Sequence, residues 1–249
     1  MTKLSVNINK IALIRNARGA NYPDLVKTAM DCEEFGAQGI TIHPRPDQRH
    51  VKYSDIPLLK EVVTTELNIE GYPTEEFMQV VLRNRPHQCT LVPDAPEAIT
   101  SDNGWDTIKH LSFLKEMTER LHDAGIRVSL FIDPIAERLD AAKETGTDRI
   151  EFYTGPFAHA FQEASILTER DQKQHKQTVA VASYARAAAH CQILEMGINA
   201  GHDLNLANLH FFRQHVPALL EVSIGHALVC DALYLGLKNT IQLYLKEIN

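Results

Sequence analysis

The chain has 249 residues, 44% of them hydrophobic and 23% charged, which supplies enough apolar material for a substantial core and excludes a disordered tail or a fibre. A formal charge of −7 opposes collection on polyanions, so nucleic acid is not expected as a partner, and an anionic ligand must meet a local basic pocket. No apolar run approaches the roughly 18 to 20 residues needed to cross a bilayer, and MTKLSVNINK passes into strand-like sequence without a signal-peptide core, so a cytoplasmic protein with no membrane partner is expected.

Short β-branched or apolar runs then alternate with longer segments of helical period. The strand candidates, in order, are residues 4–9, 39–43, 68–71, 88–92, 127–133, 149–154, 197–200 and 220–225. Between the third and fourth, Thr74 is a candidate N-cap, with Glu75 and Glu76 in the first turn of a helix that carries Phe77, Val80 and Val81. Ile108, Leu111, Leu114, Met117 and Leu121 recur every three or four residues, as do Leu233, Leu237, Ile241 and Leu245, so each set predicts one amphipathic helix. In EFGAQG, DAGIR, ETGTD and EMGIN, Gly36, Gly125, Gly146 and Gly197 are candidate left-handed caps before the next strand. The irregular stretch 155–174 is expected to hold an extra helix, serving either subunit contact or capping within one subunit.

With no Gly/Ser-rich or Pro-rich linker, residues 1–249 read as one domain. Strand–helix alternation of this length fits an α/β fold, a closed (β/α)8 TIM barrel with extra helices, better than an open sheet. Cys32, Cys89, Cys191 and Cys230 are scattered without CxxC spacing and read as buried thiols.

In a barrel the reactive groups stand at the C-terminal ends of the strands, and here most of those ends are polar. Asn7 and Asn9 end the first strand, with Arg15 and Arg18 in the loop after it. His43 and Arg45 end the second and Glu70 the third. Glu151 and Thr154 lie on the sixth, while His202 and Asp203 follow the seventh in NAGHD and His226 follows the eighth in SIGHA. Taken singly, Glu70 also reads as a solvated acid, His226 as a hydrogen-bonded core histidine and Arg18 as a surface charge. Their recurrence at one end of successive strands is what favours a site. Imidazoles and a buried carboxyl suit acid/base chemistry, and guanidinium groups with glycine-turn N–H groups suit a phosphate, so the substrate is expected to be a phosphorylated metabolite. HPRPDQRH lacks HxH or HExxH spacing, and no GxGxxG follows the first strand, so neither a metal nor a nicotinamide or flavin cofactor is expected.

VNINKIALIRNARG, GITIHPRPDQRH, NIEGYPTEEF, LVPDAPEAITSDNGWD, SLFIDP, IEFYTG, NAGHDL and EVSIGHAL, collinear over nearly the whole chain, together closely resemble the pyridoxine 5′-phosphate synthase family. The resemblance implies a cofactor-independent barrel, assembled as a homo-octamer, that joins 1-deoxy-D-xylulose 5-phosphate to 3-amino-2-oxopropyl phosphate. Its products are pyridoxine 5′-phosphate, phosphate and water, in vitamin B6 biosynthesis. By the same resemblance His43 and Glu70 correspond to proton acceptors, His202 to a proton donor and Glu151 to a group assisting the transition state. Asn7, Arg18, Asp203, Gly225 and His226 correspond to contacts with the amino substrate, and Arg45, His50 and Thr100 to contacts with the deoxyxylulose phosphate.

The chain departs from the family pattern VNIDH, where Asn9 and Lys10 replace an acid and an imidazole at a substrate-binding pair, and from NAGHG, where Asp203 brings a carboxylate that would repel a phosphate if turned inward. The stretch from Asp94 to Trp105 reads as either a lid over the reactants or a plain connection. The competing readings are a metal-dependent aldolase or hydrolase barrel and a non-catalytic barrel that binds phosphosugars.

Overall fold

A computed structural model describes residues 1–94, 101 and 103–249. Along the chain run β1 (Lys3–Asn7), α1 (Asn9–Asn16), α2 (Leu25–Glu34), β2 (Gly39–Ile42), α3 (Asp55–Val62), β3 (Leu67–Gly71), α4 (Glu75–Asn84) and β4 (Gln88–Leu91). They are followed by α5 (Leu111–Asp123), β5 (Arg127–Ile132), α6 (Ala136–Glu144), β6 (Arg149–Tyr153), α7 (Gly155–Ser165), α8 (Arg170–Ile193), β7 (Gly197–Gly201), α9 (Leu209–His215), β8 (Leu219–Ile224), α10 (His226–Leu235) and α11 (Leu237–Ile248). Each strand pairs in parallel with the next, and β8 pairs back with β1, closing the barrel in sequence order.

The strands alternate cleanly. Leu4, Val6, Ile40, Ile42, Leu67, Ile69, Val128, Leu130, Ile150, Phe152, Val222 and Ile224 belong to one continuous apolar core with the buried faces of the helices. Because side chains on a strand point alternately to opposite faces, the residues between them turn to the barrel axis. That inner set is polar: Ser5 bonds Thr41 (2.7 Å), Asn68 donates to Thr41 (3.4 Å), and Thr90 donates to the Asn68 carbonyl (3.0 Å). At the N-terminal ends of the strands, Glu66 is bound by Lys3 and Arg127, and Arg149 donates to Asn199 (3.3 Å) and faces Glu221 at 3.6 Å.

Helix ends follow their local chemistry with informative exceptions. Thr74 caps α4 by accepting from Phe77 N–H at 3.2 Å, and Phe77 and Val81 are buried. Gly36, Gly125 and Gly146 take positive φ, whereas Gly197 does not; Glu195 (φ 54°) makes that turn instead, two residues earlier, and Gly197 opens β7. The single helix expected through Leu233 and Leu245 is two, because Gly236 (φ 76°) breaks it, and Leu233 is exposed on α10. Ile108 is likewise exposed and precedes α5, whose buried stripe is Leu114, Met117 and Leu121.

The first strand ends at Asn7 rather than residue 9, since Asn9 opens α1. The extra helix expected in 155–174 is α7, packed on α8 through Phe157 and Tyr184. Cys32, Cys89 and Cys191 are buried, but Cys230 is exposed on α10, so the expectation of four buried thiols fails there. No helix among the described residues is long and apolar enough to cross a membrane.

Candidate active site

The C-terminal ends of the strands surround a cavity of about 440 Å³. Its lining includes Asn7, Asn9, Lys10, His43, Arg45, His50, Glu70, Glu151, His202, Asp203, Gly225 and His226, contributed by strands and loops far apart in the chain. Arg18, expected among them, is not brought there. Arg18 lies beyond the end of α1, is exposed, and is not part of the lining; Thr100 lies outside the described residues, as does most of the 94–105 stretch. Arg15, expected beside Arg18 in the loop, is instead buried in α1 and forks onto Asp55 with two bonds of 2.9 and 2.8 Å, a structural clamp rather than a ligand contact.

His43, just past the end of β2, and Glu70, on β3, face one another across the cavity. His43 Nδ1 lies 3.7 Å from Glu70 Oε2, and Asn7 donates to that same oxygen at 3.5 Å. Asn9, in place of an acid, accepts from the His43 backbone N–H at 2.9 Å while its own N–H donates to Asn7 Oδ1 at 3.1 Å. It therefore fixes the segment that carries the imidazole.

Burial, helped by the positive charge of Arg45, holds the His43 imidazole well below its usual range, so it is neutral at pH 7 and able to accept a proton. Burial pushes Glu70 the other way, up to about 8, with the neighbouring Asp94 adding to the rise and Arg45 opposing it. Glu70 is thus a buried acid on a strand, which removes the reading of it as a solvated group.

Glu151 on β6 is raised well above the usual carboxylate range by burial and by Glu70, and its Oε2 has no hydrogen-bond partner among the described residues. Gly201 on β7 makes room for it: a Cβ there would stand 2.4 Å from Glu151 Oε1. His202 follows at φ 83°, and its Nδ1 lies 2.6 Å from Asp203 Oδ2. The Asp203 carboxylate is therefore engaged by an imidazole. His226 is exposed at the start of α10, which excludes a core role for it.

The basic side of the cavity is formed by Lys10 of α1 with Arg45 and His50 of the β2–α3 connection. Arg45 donates to Asp94 at 2.6 Å, and Ser101 donates to the same carboxylate oxygen at 2.6 Å. His50 is lowered to about 4 by burial and the nearby Lys10, Arg49 and Arg45, and its buried Nδ1 has no partner among the described residues. Asn16 holds this loop by donating to the Arg49 and His50 carbonyls at 3.0 and 2.7 Å.

Ser101, Phe131, Asn205 and Ser223 also line the cavity and were not singled out from sequence. Phe131 and Ser223 share the inward parity of Glu151 on their strands, a signal available once the alternation is followed. No cluster of three or more His, Cys, Asp or Glu side chains able to hold a metal ion occurs among the described residues.

Barrel closure and the gathering of His, Glu, Arg and Lys side chains around one cavity at the C-terminal strand ends define a TIM-barrel enzyme. Residues 4–249 match the model of the pyridoxal phosphate biosynthesis protein PdxJ, and the chain belongs to that family. It is 56% identical to a pyridoxine 5′-phosphate synthase of Cytophaga hutchinsonii over 248 residues, covering 100% of this chain and 99% of that protein. With the namesake enzyme of Porphyromonas gingivalis it shares 52% identity over 249 residues, covering 100% and 99%.

Among solved structures, 3-keto-L-gulonate-6-phosphate decarboxylase from Vibrio cholerae superposes with a TM-score of 0.62 at 9% identity, covering 99% of this chain and 97% of that one. Thiamine phosphate pyrophosphorylase from Pyrococcus furiosus superposes at 0.61 and 11% identity, covering 99% and 95%. These likenesses establish the fold.

Proposed function

We propose that this chain is a pyridoxine 5′-phosphate synthase acting in vitamin B6 biosynthesis. It condenses 1-deoxy-D-xylulose 5-phosphate with 3-amino-2-oxopropyl phosphate and closes the pyridine ring without a cofactor. The observation that carries the reading is the convergence of His43, Glu70, Glu151 and His202 with Lys10, Arg45 and His50 on one cavity of about 440 Å³. Such a hollow suits two small phosphorylated substrates side by side.

The chemistry follows from the protonation states. As the substrate amine adds to the ketone, neutral His43 takes the proton shed by nitrogen, and Glu70, close enough to relay, exchanges protons near neutrality. Loss of phosphate needs a proton removed from carbon and cationic groups to hold the leaving anion, for which Arg45 and Lys10 are available. His202 gives a proton to oxygen as water departs. Protonated Glu151 can donate a hydrogen bond to a developing oxyanion without repelling it.

Asn7, Gly225, His226 and Asp203 form the amino-substrate side of this reading, and Arg45 and His50 the sugar-phosphate side. The whole chain acts as one unit, in the cytoplasm, within the homo-octamer that the family resemblance implies; sedimentation velocity measures that assembly directly.

Incubating the purified protein with both substrates should yield pyridoxine 5′-phosphate and inorganic phosphate at equal rates, unchanged by a chelator. Turnover abolished by chelator and restored by a divalent ion would instead favour a metal-dependent barrel. Phosphosugar binding with no product would favour a retired one.

A further inference from the structure

Asp203 stands on the amino-substrate side of the site, but the proton transfers above give its carboxylate no part, and its surroundings are specific. Its N–H donates to Thr154 Oγ1 at 3.3 Å, while Asn208 donates to its carbonyl at 3.3 Å; Thr154 in turn donates to the Gly201 carbonyl at 2.6 Å. The preceding residue, His202, is held at φ 83°, a left-handed conformation that non-glycine residues populate sparsely, and its N–H reaches the Ser223 carbonyl at 3.4 Å. The Thr154 hydroxyl just past β6 and the Ser223 carbonyl on β8 therefore bring two adjacent side chains together, although neighbours on an extended strand point apart. The product is the 2.6 Å contact between Asp203 Oδ2 and His202 Nδ1.

We propose that Asp203 is a positioning residue for His202, its carboxylate accepting the Nδ1 proton so that the ring is fixed in orientation and tautomer and exchanges its working proton through Nε2. The inference rests on His202 serving as the proton donor. In the dehydration, the proton on Nε2 passes to the departing oxygen, the electron pair of the breaking C–O bond goes with that oxygen, and water leaves. A proton from the adjacent carbon goes to a base of the His43–Glu70 pair, and its electrons form the new double bond. His202 is left neutral, with Nδ1–H still held by Asp203, and is recharged from solvent.

The contact gives Asp203 a specific role. Its Oδ2 is a carboxylate oxygen at hydrogen-bond distance from the ring, and Tyr153 meets the same ring edge-on at 5.8 Å. A carboxylate in that position holds the imidazole tautomer, as it does for histidine in acid/base dyads generally.

The test compares Asp203→Asn, Asp203→Glu and His202→Asn. Long-range proton–nitrogen NMR spectra of the ¹⁵N-histidine-labelled proteins read the His202 tautomer without requiring turnover. In Asp203→Asn the amide can turn either its oxygen or its NH2 group to the ring, so His202 should no longer be held in the single Nδ1–H tautomer. Turnover should fall with it, by roughly tenfold in kcat. Asp203→Glu should restore most of both.

An unchanged His202 tautomer in Asp203→Asn overturns the inference, whatever happens to its activity. His202→Asn tests the underlying reading separately. If that variant turns over normally, His202 is not the donor; if it is inactive while Asp203→Asn leaves tautomer and turnover intact, only the role of Asp203 falls.

Discussion

The two ends of the barrel hold the same kinds of side chain and put them to opposite use. At the N-terminal end, Glu66 lies between Lys3 and Arg127; burial alone would raise it, but the two cations override that and hold it down at about 2. It is a fixed charge. At the C-terminal end Glu70, four residues along and more deeply buried, has Asp94 and Glu221 among the charges acting on it and rises to about 8. The difference is not residue type but how deeply the carboxylate is buried and how fully cations offset that burial. Where charges are matched the barrel is locked, and where they are mismatched protons move near neutral pH.

The sharpest way to break this comparison is to remove the base. His43→Asn should keep substrate affinity within a few-fold and lower kcat by about 10²- to 10⁴-fold, the usual worth of a positioned proton acceptor. Isothermal titration with single substrates and initial rates would separate the two effects; near-normal turnover would discard His43 as the base.

Glu70→Gln tests the cost of the mismatch. The folded state raises this carboxyl above its unfolded value near 4.3, so its stability contribution is fully present below about pH 4.3 and is lost as pH rises through about 8. Gln carries no charge at any pH. The variant should melt a few degrees higher than the parent at pH 9, with no such gain at pH 4, and should lose most activity.

Glu66→Gln should behave in the reverse way. Its folded pKa is depressed, so the contribution is present above about pH 4.3 and is lost as pH falls toward about 2. Thermal melts at pH 7 should show a loss of about 1 kcal/mol once solvent screening is allowed for, or roughly 2 to 4 °C, with kcat within about twofold of the parent. A large fall in kcat would show that the two ends are not independent.

The smallest effect is expected at Cys230. In the native protein it should be the fast-reacting thiol toward Ellman's reagent, ahead of Cys32, Cys89 and Cys191, which should react on unfolding. Cys230→Ser should remove the fast phase and leave stability within about 0.5 kcal/mol.

Much of this organisation is legible in the sequence, for identifiable reasons. The alternation of strand-like and helical segments made the strand ends visible, so Glu70, Glu151 and His202 were singled out from their places there, and all three line one cavity. Helix caps were readable where one side chain decides them, as Thr74 does, and misread where backbone geometry chooses among neighbours, as with Glu195 in place of Gly197. The base of the barrel went unread because Lys3, Glu66 and Arg127 are ordinary surface types until closure brings β1, β3 and β5 within reach. Arg15 and Arg18 look alike in the letters; the phase of α1 buries the first against Asp55, while the second lies past the helix end and is exposed. Cys230 follows the same logic, its helix interrupted by Gly236 and its thiol turned outward.

The column of carboxyls along the barrel axis has a calorimetric consequence. Glu70 and Glu151 store protons at pH values where carboxyls in water have released theirs. Binding a dianionic phosphate ester alters the field they sit in, so occupancy and proton count change together, and a titration in a buffer with a large ionisation heat should report a different enthalpy from one in phosphate. The slope of that dependence counts the protons taken up or released when the first substrate arrives.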